Sequence, residues 1–287
     1  MPIDEGPYQN QVVAFATMHG KEKAVAKAFA RQLAASIAVP VGIDTDVLGT
    51  FTGEVPRAGT IVEAARAKAL LAMKVTGLKC GLGSEGSFGP HPYVPFIPRD
   101  IEVLLFVDQA NDIEIYETLM THRTNFQNVT CRRGENISEF LKSIRFPQHA
   151  VVSNPSAPTT DLPPIKGVNS AADLTEAISR ASHASSDFAV QIVTDMRAHF
   201  NPTRMAVIRA LANRLARRLA TQCPECGTPG FGIVDIARGL PCGWCGEPTQ
   251  MAISEIWRCA KCSLETRART KVAPETADPG SCDRCNP

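Results

Sequence analysis

Apolar positions over the first 220 residues alternate between two spacings. "VVAFAT" (Val12 to Thr17) is a continuous apolar run of strand length, and "KEKAVAKAFARQLA" then sets Val25, Phe29 and Leu33 on one helical stripe. "TIVEAARAKALLAMKVTG" predicts a second helix that Thr60 caps at its start and Gly77 ends. "IEVLLFVD" and "DIEIYETL" flank the polar "QAN" and predict a hairpin. Further along, "ENISEFLKSI" reads as a short helix, "HAVVS" as a strand, "SAADLTEAISRAS" as a helix and "FAVQIVT" as a strand. A helix from about Thr203 to Ala220 carries Ile208, Leu211, Ala212, Leu215 and Leu219 on one face. This order predicts an α/β fold, a mixed sheet with flanking helices forming one domain over residues 1–220. The Pro/Ser/Thr-rich "SNPSAPTTDLPP" reads as a loop inside that domain.

Composition changes the picture mainly through cysteine. The chain has 287 residues, 44% of them hydrophobic, and a formal charge of +1, so a core can form and no global field attracts polyanions. No apolar run reaches the length of a spanning helix, and the acidic start "MPIDEGPYQNQ" is unlike a leader. The expectation is a cytoplasmic protein without a membrane partner. Eight of the ten cysteines form four CxxC pairs, Cys223/Cys226, Cys242/Cys245, Cys259/Cys262 and Cys282/Cys285, separated by 15, 13 and 19 residues. Two such pairs complete one tetrahedral zinc, so the spacing predicts two structural Zn²⁺ ions in a double zinc-ribbon module over residues 221–287. We expect sequential pairing of neighbouring knuckles; a nested arrangement, inner pairs on one ion and outer pairs on the other, is the alternative. This tail holds seven Lys/Arg against eight Asp/Glu, which argues against strong phosphate binding. Recognition of nucleic acid or protein through the ribbons stays open, and Trp244 and Trp257 read as packing residues.

The stretch "GLGSEGSFGPHP" (Gly81 to Pro92) packs four glycines into twelve residues and reads as a loop, either a set of tight turns or a wall close to a ligand. Together with the helix before it, it carries Thr60, Glu63, Lys68–Ala69, "TGL" at Thr76 to Leu78 and "SEGS" at Ser84 to Ser87. That pattern resembles the inosine-triphosphate-pyrophosphatase-like (Maf-like) superfamily of nucleotide pyrophosphatases. The N-terminal "VVAFATMHGKEKAVAKAF" is similar to the same superfamily's strand, phosphate-binding loop and helix, with His19 where Asn is usual. Ala64 also stands where the superfamily commonly has Asn. The architecture as a whole is similar to a bacterial family that joins such a domain to terminal cysteine pairs.

The resemblance implies a metal-dependent hydrolase acting on a nucleoside triphosphate or a related phosphorylated small ligand. It assigns catalytic Mg²⁺ ligation to Glu63 and Glu85 and substrate contacts to Thr17, His19, Lys21, Lys23 and Lys68. Glu63 and Lys68 lie about 140° apart around a helix, so one of the two serves packing or solvent. A second candidate cluster, Arg197, His199 and Arg204, precedes the last helix, and its segment from Met196 to Ala220 holds six arginines and no acids. Arg214, Arg217 and Arg218 in that run read as a solvated helix end. Asp44, Asp46 and Glu54 read as a solvated loop, with a second metal contact as the alternative, and His91 as either a loop residue or a contact to a base or phosphate, while His122, His149 and His183 belong to no constellation. The alternative function is a non-enzymatic nucleotide- or nucleic-acid-binding protein.

Overall fold

Two β-sheets, not one, carry residues up to Ala220 in the computed structural model, which describes residues 6–43, 59–269 and 274–287. Asp44, Asp46 and Glu54 lie outside the described residues. The chain opens with β1 (Val12–Phe15), α1 (Glu22–Leu33), β2 (Ser36–Ala38), α2 (Ile61–Thr76), β3 (Cys80–Pro90), β4 (Pro98–Asp108) and β5 (Ile113–Thr121). These strands form a five-stranded sheet in the order β2-β1-β3-β4-β5, parallel from β2 to β3 and antiparallel beyond.

The second sheet lies between β5 and the last long helix. It contains β6 (Asn128–Arg132), β7 (Val151–Pro155), β8 (Ile165–Val168) and β9 (Ala189–Thr194) in the order β6-β9-β7-β8. The helices α3 (Ser138–Ser143) and α4 (Ala171–His183) belong to this segment. It has a core of its own around Ile144, Val151, Leu174, Val190 and Ile192, so the expected α/β fold of mixed sheet and flanking helices carries two sheets before Ala220. The helix α5 (Pro202–Ala220) then returns to the first sheet and packs with α1 over Leu82, Leu104 and Phe106. Its predicted apolar face, Ile208, Leu211, Ala212, Leu215 and Leu219, is buried, as are Val25, Phe29 and Leu33 of α1. Arg214 and Arg218 are not merely solvated: both pair with Glu117 of β5, whose side chain is 4% exposed.

The glycine-rich stretch is not a loop but the strand β3. Its odd positions face α2, and glycine there allows the helix to lie almost on the strand. A Cβ at Gly83 would sit 1.7 Å from the Ala65 carbonyl oxygen, and one at Gly81 would sit 2.8 Å from that of Ala69. Turn signals dominate glycine-rich sequences, so the strand is hidden from a local reading; the reason for the glycines is non-local packing. The helix α2 begins and ends where expected, capped by Thr60 and Gly77.

Beyond α5 the strands β10 (Gly232–Arg238), β11 (Ala252–Arg258) and β12 (Glu265–Ala268) form an antiparallel sheet between the cysteine knuckles. This small module leans on the first sheet. Arg218 donates to the Gly230 carbonyl at 3.1 Å, Lys261 donates to the Asn111 carbonyl at 2.9 Å, and Ala260 packs on the main core. No helix among the described residues is long and apolar enough to cross a membrane.

Candidate metal centres and a buried charged site

The eight knuckle cysteines form two tetrads, and their pairing is neither sequential nor nested. Cys223, Cys226, Cys259 and Cys262 make one, and Cys242, Cys245, Cys282 and Cys285 the other, with all four sulfurs of each within 4.8 Å of one another. The strand geometry explains this interleaving. Only β10 fills the gap between the first and second pairs, and seven extended residues span about 23 Å, so those pairs lie at opposite ends of the β10–β11 ladder. β11 brings the third pair back to the first, and β12, antiparallel to it, directs the chain back so that the fourth pair reaches the second.

The tetrads fit zinc on an internal criterion. Thiolates at the usual Zn–S length of about 2.3 Å occupy tetrahedron corners about 3.8 Å apart. The sulfur separations are 3.7 Å for Cys223–Cys262, 3.6 Å for Cys226–Cys259, 3.9 Å for Cys242–Cys285 and 3.7 Å for Cys245–Cys282. All eight are free thiols at distances far too long for disulfides. Four thiolates leave no open coordination position, so the centres suit structural zinc. Trp257 packs on Phe231 as expected, with ring centroids 5.8 Å apart, whereas Trp244 is 79% exposed beside its knuckle.

The candidate residues of the main fold divide differently from the expectation. Glu63 is exposed, and its carboxylate accepts from the Thr60 amide at 2.7 Å, closing a capping box that holds it below the usual carboxylate range. Glu85 lies on the α2 face of β3, paired with Lys68 at 2.5 Å. No group of three or more metal-ligating side chains among the described residues includes either glutamate, so the expected Mg²⁺ site at Glu63 and Glu85 is not assembled. The physical reason is that one carboxylate caps a helix and the other neutralises a buried lysine. Lys23 is exposed, while Lys21, two residues earlier, is 8% exposed.

Lys21 leads to a site that sequence spacing does not disclose. β1 lies between its parallel neighbours β2 and β3, with α1 and α2 on opposite faces; ligands collect beyond the carboxyl ends of strands at such a reversal of strand order. Lys21 sits just past the end of β1 and donates from Nζ to Ser84 Oγ at 3.0 Å. It forms no ion pair among the described residues. Along the same face of β3 and β4, the apolar Leu82, Leu104 and Phe106 give way to Ser84, Gly86, Glu102 and Asp100. Arg204 of α5 reaches this face, with Nε 2.5 Å from Glu102 Oε1 and its guanidinium 4.8 Å over the Phe88 ring. Gly86 makes room: a Cβ there would lie 2.3 Å from Arg204 Nη2. The two sequence-distant candidate segments therefore converge. His19 stacks near His199 at 5.3 Å, and the Thr17 hydroxyl accepts from the His19 amide at 3.4 Å. Arg197 is held by Asp195, at 2.6 Å.

Burial sets the electrostatics here. It pushes the Lys21 ammonium down to about 7, with the Arg204 charge adding to the effect, and the His19 imidazole down to about 4, with Lys21 adding. His199 is lowered by burial and by Arg197. Asp100 is fully buried, and neither of its carboxyl oxygens has a hydrogen-bond partner. Burial, then Glu102, raises it to about 8. Sequence reasoning missed the site roles of Ser84, Asp100 and Glu102. The signal for two of them was the period-2 alternation of "DIEVLLFVD", which puts acids on the same strand face as the core residues Leu104 and Phe106.

Asp100 gives a pH signature. Between its ordinary value of 3.8 and about 8, the folded chain holds a proton that the unfolded chain has lost, so stability present below that window falls as pH rises through it. Lys21 acts oppositely over a higher, overlapping range: from about 7 to its ordinary value of 10.5 the unfolded chain holds the extra proton, and stability rises with pH. Asp100→Asn is expected to flatten the fall by up to about 1.4 kcal/mol per pH unit, measured as urea-unfolding stability between about pH 5 and 7. Parallel curves for wild type and variant would refute a neutral Asp100.

Comparison with curated proteins found no match, and comparison with solved structures found none. A family model described as Domain of unknown function (DUF6671) matches residues 68–287, from within α2 to the last residue. That span takes in Lys68, Ser84, Glu85, Asp100, Glu102, Arg204 and every knuckle cysteine, while Thr17, His19 and Lys21 precede it. By this match over most of its length, the chain belongs to the DUF6671 family.

Proposed function

We propose that the protein is a hydrolase of a phosphorylated small ligand, of the nucleoside-triphosphate class that the sequence resemblance implies, with the two zinc centres serving structure. The observation that carries this reading is Lys21, a buried ammonium beyond the end of β1 whose hydrogen-bond partner among the described residues is the Ser84 hydroxyl. A cation held this way favours an anion arriving from outside. Asp100 supplies a proton-bearing carboxyl on the same face, in the pKa range that general acids use. A non-enzymatic binding protein is the second reading. It is favoured by the pairing of Glu85 with Lys68 and of Glu102 with Arg204, and by the lack of a carboxylate cluster for a catalytic metal among the described residues.

The test is a panel of nucleoside triphosphates, with and without Mg²⁺, followed by phosphate and pyrophosphate release and, in parallel, by calorimetric binding. Lys21→Met keeps the buried stem and removes the charge, and is expected to lower turnover by about 100-fold or more. Binding that requires Lys21, without turnover, selects the second reading. Absence of both binding and turnover overturns the proposal, as does normal behaviour of Lys21→Met.

A further inference from the structure

A second cleft lies where the two sheets meet, on the other side of the first turn of α5. Its walls are Arg123, Asn125 and Gln127 from the β5–β6 connection, Ser143 and Arg145 from the end of α3 onward, and Thr203 of α5; its volume is about 240 Å³. No acid lines it. Arg123 and Arg145 form no ion pair among the described residues, and Arg145 Nη2 donates to Thr203 Oγ1 at 2.5 Å.

Asn125 makes the cleft more than a basic surface. It is 6% exposed, and its Nδ2 has no hydrogen-bond partner. The orientation of that amide follows from its neighbour. Asn201 uses its Oδ1 to cap α5 by accepting from the Arg204 amide, so its Nδ2 must donate, and it does so to Asn125 Oδ1 at 2.8 Å. Asn125 is thereby fixed with oxygen inward and Nδ2 turned away, a buried donor awaiting an acceptor. Thr203 is held by His149, 2% exposed, whose Nε2 accepts from the Thr203 amide and lies 2.9 Å from its hydroxyl oxygen.

Next to the polar cleft, sharing Arg123, Arg145 and Thr203, runs a groove of about 590 Å³ lined by Leu119, Met120, Ala206, Val207 and Ala210. We propose that cleft and groove together bind a phosphate monoester with an apolar body, the phosphoryl group among Arg123, Arg145 and Asn125 and the body along α5. Donors from three separate segments line the cleft. That arrangement suits tetrahedral phosphoryl oxygens better than a planar carboxylate, and two arginines match a dianion. The inference does not depend on the Lys21 reading.

The experiment is calorimetric titration of the full chain carrying Lys21→Met, which takes the first site out of play, with 1-naphthyl phosphate, inorganic phosphate and 1-naphthoate. Naphthyl phosphate is expected to bind at least about 10-fold more tightly than either single-feature probe, the pocket supplying a methylene-scale gain several times over. Arg123→Gln with Arg145→Gln, both exposed positions, is expected to abolish that binding without altering the unfolding transition. Asn125→Asp keeps the oxygen that Asn201 needs but replaces the buried donor with a carboxylate, and is expected to abolish the binding as well. Failure of naphthyl phosphate to bind at millimolar concentration, or unchanged affinity in the double arginine variant, overturns the assignment. Binding that is present in wild type but absent from the Lys21→Met chain assigns the anion to the first site and overturns it equally.

Discussion

Zinc content is expected to separate the interleaved pairing from every other arrangement of the knuckles. Purified wild type is expected to hold two zinc ions per chain, one for each tetrad. Replacing Cys223, Cys226, Cys259 and Cys262 by Ser removes one complete centre, so one ion remains. Replacing Cys223, Cys226, Cys242 and Cys245 instead leaves each centre with two ligands, and both ions are lost. Sequential pairing reverses these outcomes, because the last two pairs would then form an intact site in the second variant. Elemental analysis of protein purified without added metal reads the difference directly. The effect on folding is large, since a structural four-ligand zinc contributes on the order of 10–16 kcal/mol of apparent binding free energy near neutral pH. Removing the first centre also loosens the contacts of Gly230, Ala260 and Lys261 with the main core. A shift of the main unfolding transition should therefore accompany loss of that ion.

The second large effect is expected at the Arg204–Glu102 pair, whose side chains are 5% and 0% exposed. Glu102→Gln keeps shape but leaves a guanidinium buried without its counter-charge, a change that costs about 3–5 kcal/mol. Adding Arg204→Met removes the stranded charge, and the double variant is expected to recover much of that loss. The exposed pair Arg66–Glu114 serves as an internal control: its side chains are 41% and 38% exposed, and Glu114→Gln should cost less than about 1 kcal/mol. Urea unfolding of the four chains measures all of this. A double variant no more stable than Glu102→Gln would show that Arg204 contributes through its bond to the Met196 carbonyl, not through charge pairing.

What the sequence discloses follows the range of the interaction. Local periodicity places the helices closely: α2 keeps its predicted caps, and α5 buries the face that its spacing defines. The zinc tetrads are legible in composition and spacing, but their pairing depends on whether the gap between the first two knuckles holds a hairpin or one strand, and fifteen residues can hold either. The glycine stretch misleads because its glycines answer to the α2 backbone, which local sequence does not reveal. The charged site is legible only in halves. Lys21 and His19 mark one half and His199 and Arg204 the other, and α5 joins them after the second sheet intervenes. Asp100 and Glu102 become visible only when their alternation with Leu104 and Phe106 is followed to the same strand face.

The placement of α5 also sets an order on synthesis. A nascent chain that has emerged as far as Thr121 already contains every strand of the first sheet together with α1 and α2, yet the helix that covers Leu104 and Phe106 lies beyond the whole second sheet. Until that helix is made, Glu102 lacks the guanidinium that neutralises it in the folded chain. Its guanidinium partner arrives on the first turn of the same helix whose apolar face seals the core. The helix that covers this part of the core and the cation that neutralises its buried acid thus belong to one segment.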